Sequence, residues 1–226
     1  MATIFITGTS RGIGQALVTR YLDRGDTVYA TARNAADLAV LQERYGEACI
    51  PVTLDVTDGA AIDALSDRVD RPLDLLINNA GVIGPKAADA LSMDYDGFAE
   101  TLAVNSIAPL RVIHALLPRL READAAKIVT ISSQMGIMAR PKSNQIAYRA
   151  SKAAVNKVMQ GVALDLEPEG IAVMMVHPGW VRTDMGGPGA DISVDESADG
   201  LVKLFDDLTL ETTGSFKAWN GETLPW

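Results

Sequence analysis

Six short, largely apolar runs punctuate this chain: Thr3–Thr7, Asp26–Thr31, Cys49–Leu54, Leu73–Ile77, Lys127–Ser132 and Ile171–Val176. Each is followed by a stretch carrying helix signals. A strand that is apolar at every position has both faces buried, which happens when helices cover a parallel sheet on both sides. The intervening stretches supply those helices. One follows the first run and is closed by Gly25, and Asn34 caps one reaching Tyr45 with Gly46 behind it. Asp58 caps another to about Val69, and a long one runs from Asp94 to Arg121 with Pro109 expected to bend it. A further helix spans Ile146 to about Glu167, and Ser193 with Glu196 forms a capping box for the last, to about Asp207. Ser215–Trp219 reads as a final strand with Asn220-Gly221 as a turn. No linker, repeat or low-complexity stretch interrupts the alternation. The expectation is a single α/β domain over residues 1–226, doubly wound and Rossmann-type, with a mostly parallel sheet of about seven strands.

Composition closes off other classes. With 48% hydrophobic residues the chain can bury a sizeable core, and a net charge of −9 argues against nucleic acid as a partner. A single cysteine, Cys49, excludes an internal disulfide or cysteine cluster, and His114 and His177 lie too far apart in sequence to suggest a metal site. The apolar run at the N-terminus is too short for a signal peptide or a membrane span, so no membrane partner and a cytoplasmic location are expected.

Ligands of doubly wound sheets bind beyond the carboxyl ends of the strands, and the notable polar residues fall there: Gly8 to Gly14, Arg33, Asp55, Asn79, Ser133 and Pro178 to Thr183. Thr7–Gly14, TGTSRGIG, lies between a strand and a helix. Glycines in that place let the backbone approach a pyrophosphate while the helix N-terminus offers amide donors. The second strand ends without an acid to receive a ribose 2′-hydroxyl. Arg33 follows it, and Arg11 stands beside Gly12, two guanidinium groups suited to a 2′-phosphate. NADP(H) is therefore the expected cofactor, with NAD(H) as the alternative.

In IAYRASKAAVN, Tyr148 and Lys152 are four residues apart and share one helix face. Alone, that spacing is better read as a surface tyrosine beside a surface lysine, because it occurs by chance in many chains. Beside a cofactor site it suggests a phenol whose pKa, ordinarily about 10, is drawn down by the ammonium. On the same helix Val155, Val158, Met159, Val162 and Leu166 form a stripe that either faces the sheet or pairs subunits.

Taken together, TGTSRGIG, NNAG at Asn78–Gly81, Asn105, ISS at Ile131–Ser133, YRASK and HPGWVRTDM resemble the short-chain dehydrogenase/reductase family, over nearly the whole chain and in the family's order. YRASKAAVN, PGWVRTDMGGP and the terminal LPW resemble the branch of the C-factor signalling protein and small carbonyl reductases. The resemblance implies a catalytic tetrad of Asn105, Ser133, Tyr148 and Lys152. Tyr148 would be the general acid/base for a carbonyl or alcohol substrate, and Ser133 would orient the carbonyl oxygen. Ser132 is the alternative serine, but Ser133 lies past the strand and nearer the rim. Lys152 would hold the nicotinamide ribose and tune Tyr148, while Asn105 would keep a water in contact with Lys152. Cofactor contacts would come from Gly8, Ser10, Arg11, Gly12, Ile13, Gly14, Arg33, Asp55, Val56, Asn79, Ala80, Gly81, Tyr148, Lys152, Pro178, Gly179, Val181 and Thr183. NNAG is equally well read as a brace for the central sheet. His177 matches no catalytic position and reads as structural. The expected activity is NADP(H)-dependent interconversion of an aldehyde or ketone with its alcohol, with a homo-oligomer (dimer or tetramer) as the assembly. The alternative is a signalling or nucleotide-sensing protein with incidental turnover.

Overall fold

The computed structural model describes residues 1–226. Seven strands, β1 Thr3–Ile6, β2 Thr27–Ala32, β3 Cys49–Thr53, β4 Leu75–Asn78, β5 Lys127–Ile131, β6 Ala172–His177 and β7 Ser215–Ala218, form one sheet in the order β3-β2-β1-β4-β5-β6-β7. Every pairing is parallel. Alternation along the strands splits the core in two. Phe5, Leu76, Ile128, Val173 and Met175 belong to one layer, with Val112 and Leu116 of α6 (Ala108–Leu120) and Val155 and Met159 of α7 (Ile146–Leu166). Ile4, Ile6, Val28, Ile77, Val129 and Val176 belong to the other, against Leu17 and Val18 of α1 (Gly12–Asp23) and Leu201 and Phe205 of α8 (Val194–Asp206). Strand order reverses between β1 and β4, which opens a crevice at the carboxyl ends of those two strands.

Local signals placed the helix ends well. Asn34 accepts from the Ala36 amide, Asp58 from Ala61, and the Ser193–Glu196 capping box is complete. The interiors are less regular than expected. A 3₁₀ turn, Ala35–Leu38, precedes α2 (Ala39–Tyr45), and the Asp58 helix divides at Ala64 into α3 (Gly59–Asp63) and α4 (Leu65–Arg68). In the long helical segment the irregularity lies before Pro109 rather than at it. Between α5 (Tyr95–Leu102) and α6 runs a π-helical turn, Ala103–Ile107, in which the Ala108 amide reaches back to the Ala103 carbonyl. Pro109 has no amide to give to Asn105, so the helix takes up the missing bond in a wider turn upstream. That turn carries Asn105. The 26-residue helix Tyr95–Leu120 is long and apolar enough to cross a membrane, but half of its apolar 18-residue window is buried, with Val112, Ile113 and Leu116 in the core.

Of the two partners open to the α7 stripe, the chain's own sheet takes it: Val155, Met159 and Leu166 are core residues, and Val158 and Val162 pack against them. Its buried members are thus spent inside the molecule, while Val158 and Val162 are half-buried at its edge. The outward side of these helices instead exposes Ile107, Leu110 and Leu164.

Candidate active site

The end of β5 and the first turns of α7 build the centre of the site. Tyr148 and Lys152 stand one turn apart and are both buried. Lys152 Nζ donates to the Ile131 carbonyl at 2.8 Å and lies 5.7 Å from the Tyr148 ring centroid. Burial lowers the lysine pKa to about 8. The same burial pushes the Tyr148 hydroxyl up, and the Ser133 hydroxyl facing it works against that rise. The ammonium was expected to draw the phenol down, but the shift is upward and desolvation is its largest cause.

The two serines part company. Ser132 Oγ donates to Asn156 Oδ1 at 2.5 Å and is turned into the core. Ser133, in extended backbone, accepts from the Met135 amide at 3.1 Å and faces Tyr148. The Asn105 side chain is fully engaged. Its Oδ1 accepts from the Val82 amide at 2.9 Å, and Nδ2 donates to the Val82 carbonyl at 2.8 Å and Ser151 Oγ at 2.9 Å. It ties the segment after β4 to α7. Gly136, in the 3₁₀ turn Gln134–Gly136, was missed by the sequence reading. A Cβ there would lie 2.7–2.9 Å from the backbone of Lys152 and Ala153. A glycine three residues beyond the rim serine was the available signal.

The glycine turn is held from three strand ends. Asn79 Nδ2 donates to the carbonyls of Thr7 and Gly8 at 2.9 and 2.8 Å, and Thr7 Oγ1 accepts from the amides of Asn79 and Ala80 at 3.0 Å. Thr31 Oγ1 accepts from the Gly8 amide at 3.1 Å, and the Thr31 carbonyl accepts from the Thr9 amide at 2.8 Å. Gly14 is required by contact, since a Cβ there would stand 2.3 Å from the Gly8 carbonyl oxygen. Asn79 is thus a brace for the turn, and Thr7 and Thr31, which the sequence marks only as strand ends, share the task. Arg11 is the N-cap of α1 and makes no side-chain cap, with no acid in the first turn. The leading amides of α1 are left for an anion, so a dinucleotide diphosphate fits here.

Around this turn stand the remaining residues. Asp55 accepts from the Thr57 amide and hydroxyl at 2.8 and 2.7 Å, which lowers its pKa, and the charge of Arg33 adds to the effect. Val56 packs on one core layer and Ile13 on the other, while Ser10 and Gly81 are half-buried. In the segment after β6 the Pro178 carbonyl accepts from Ser197 Oγ at 2.6 Å, Gly179 sits against Ile192 and Trp219, and Val181 bridges to Ile192. Thr183 Oγ1 accepts from the Gly186 amide at 3.1 Å, and its methyl lies 3.4 Å from the Cβ position of Gly12. Arg11 pairs with Asp184 at 3.1 Å, each side chain 75% exposed. The end of β2 has no acid, as read from the sequence, but the fold brings Asp184 to Arg11 and Asp55 near Arg33. His177 is buried, its Nδ1 has no partner, and burial lowers its pKa to about 4.

A family model described as short chain dehydrogenase matches residues 2–191. C-signal from Myxococcus xanthus is 41% identical over 156 residues, 69% of this chain and 93% of that protein. The crystal structure of an NADPH-bound carbonyl reductase from chicken fatty liver superposes with a TM-score of 0.92 at 32% identity, covering 100% of this chain and 99% of that one. A carbonyl reductase from Pseudomonas aeruginosa PAO1 in complex with NADP gives a TM-score of 0.89 at 36% identity, with both chains covered in full.

Proposed function

The chain belongs to the short chain dehydrogenase family, and we propose that it is an NADP(H)-dependent reductase of an aldehyde or ketone, working reversibly on the alcohol, of the small carbonyl reductase type. One observation carries this reading: Ser133, Tyr148 and Lys152 meet at the end of β5, beside the glycine turn and the segment Pro178–Thr183. The NADP(H)-containing carbonyl reductases at 32% and 36% identity support the choice of cofactor and substrate class.

When bound, NADPH supplies the hydride that the carbonyl carbon accepts. The protein's own part is position and proton. Ser133 orients the carbonyl oxygen, and Tyr148 Oη gives its proton to that oxygen as the alcohol forms. A phenol is ordinarily protonated at neutral pH, so Tyr148 has the proton to give, although burial pushes its pKa up, away from the range that best suits a general acid. Lys152, with its pKa lowered to about 8, is poised to return a proton and to hold the ribose hydroxyls. Asn105 fixes the segment of Ala80, Gly81 and Val82 against α7 through its three hydrogen bonds. The leading amides of α1 at Gly12, Ile13 and Gly14 would hold the diphosphate, Asp55 would meet the adenine, and Val181 and Thr183 would hold the carboxamide. Arg33, and Arg11 once it exchanges Asp184, would take the 2′-phosphate.

A second reading, a signalling protein in which turnover is incidental, draws on the 41% identity to C-signal. Three titratable or hydroxylic groups converging on one rim favour the enzyme, since binding alone needs no proton donor. Tyr148→Phe separates the two. Removing a general acid typically costs about 10²–10⁴-fold in turnover, and cofactor binding, followed by NADPH fluorescence, should persist. A variant with wild-type kcat on its best carbonyl substrate refutes the assignment.

A further inference from the structure

Tyr148, Lys152 and Asn156 recur at intervals of four along α7, and their side chains meet three consecutive residues where β5 ends. Lys152 holds the Ile131 carbonyl, Asn156 holds the Ser132 hydroxyl, and Tyr148 faces Ser133. We propose that Asn156 is the positioning residue for Ser133, fixing through Ser132 where the Ser133 hydroxyl stands against Tyr148. This rests on the reading of Ser133 and Tyr148 as the pair that handles the substrate oxygen.

Three observations carry the proposal. The last ladder bond at this strand end runs from the Ser132 amide to the Val176 carbonyl at 2.7 Å, so Ser133 is the first residue beyond the sheet. Besides facing Tyr148, Ser133 is held within its own turn, by the Met135 amide at 3.1 Å to its Oγ and the Gly136 amide at 2.9 Å to its carbonyl, and that turn packs on α7 at Gly136. The anchor of that turn on the strand side is Ser132, pinned by β6 through its amide and by Asn156 through its hydroxyl. Secondly, the link is dry, with Asn156 4% and Ser132 1% exposed, so one geometry is enforced. Thirdly, Asn156 is a costly residue for packing alone, because its Nδ2 is buried without a partner. An apolar pair of the same shape would avoid that cost. A polar link kept at such a position is accounted for by the geometry it imposes on the neighbouring serine.

The test is a set of variants, Asn156→Leu, Ser132→Ala and both together, in the wild-type and Ser133→Ala backgrounds. Melting temperature, kcat and KM on the best carbonyl substrate, NADPH binding and a crystal structure of Asn156→Leu are read. Asn156→Leu should lower kcat about tenfold, less than the about 10²-fold that a 1 Å misplacement can cost, with KM and NADPH affinity within about twofold. The double variant, in which neither buried partner is orphaned, should regain melting temperature without regaining kcat. In the Ser133→Ala background Asn156→Leu should cost nothing further. Recovery of kcat together with melting temperature in the double variant, or an equal loss with Ser133 already gone, overturns the proposal and leaves Asn156 a packing residue. Should Asn156→Leu not fold, Ser132→Ala cuts the same link from the strand side and is read the same way. Absence of carbonyl turnover in the wild type would defeat the reductase reading alone. The crystal structure then decides Asn156: Ser133 Oγ displaced from Tyr148 sustains it, and an unmoved Ser133 refutes it.

Discussion

Replacing Gly136 by alanine tests how tightly the serine turn is set against the catalytic helix. The added Cβ would lie 2.7 Å from the Lys152 carbonyl carbon, 2.8 Å from the Ala153 nitrogen and 2.9 Å from the Lys152 oxygen. All three are backbone atoms, so no rotamer change relieves the contact. Ordinary contact begins at 3.4 Å, which requires the turn and the helix to separate by about 0.7 Å at the closest pair. Overpacking of this kind costs about 1–3 kcal/mol, offset by about 0.4–1 kcal/mol because alanine restricts the unfolded chain. The net loss of about 1–2 kcal/mol lowers the melting temperature by roughly 2–8 °C for a chain of this size. The displacement falls on Ser133 or on Lys152, and a shift approaching 1 Å there should lower kcat by about 10–10²-fold. Gly161, in the same helix, is the control, since a Cβ there meets nothing within 4 Å. Gly161→Ala should raise stability by about 0.5–1 kcal/mol and leave kcat unchanged. Thermal melts and NADPH oxidation on one substrate measure both. Wild-type kcat in Gly136→Ala, with a melting temperature at or above the parent's, would show the reasoning to be wrong.

On the proposed reading, cofactor choice follows from charge at the end of β2. Arg33→Asp should reduce or reverse the preference for NADPH, chiefly through KM, whereas Asp184→Asn, by freeing Arg11, should tighten NADPH by no more than about fivefold, the reach of an exposed pair; equal kcat/KM for NADPH and NADH in the parent contradicts the account. His177 predicts acid sensitivity. Its folded pKa, about 4, lies below the unfolded 6.5, so the unfolded chain binds the proton first and stability falls as pH drops from about 6.5 to about 4, by about 3 kcal/mol in all. His177→Asn should lose less melting temperature than the parent between pH 7 and pH 5, and parallel losses refute the assignment. For assembly, the exposed Ile107, Leu110 and Leu164 are the surface expected to pair subunits, and a monomeric mass by light scattering at micromolar concentration refutes it.

What the sequence determined by itself is what depends on a few neighbouring residues. Alternation of apolar runs with helices implied a parallel sheet, and caps at Asn34, Asp58 and Ser193 are side-chain bonds to amides two or three residues away. The four-residue spacing of Tyr148 and Lys152 puts them on one face of any helix. What only the tertiary structure decided depends on residues far apart along the chain. Whether the Val155–Leu166 stripe met a sheet or a second subunit could not be read from a period of 3.6 residues, because both partners want the same stripe. Ser132 and Ser133 were separated by Asn156, a residue 24 positions away from Ser132. Arg11 met Asp184, and Gly136 met the backbone of Lys152, because the connections after β1, β5 and β6 all emerge at the carboxyl rim of one sheet. The Tyr148 pKa moved against the expected direction for the same reason. Burial is a property of the assembled layers, and desolvation there is the largest cause of the upward shift.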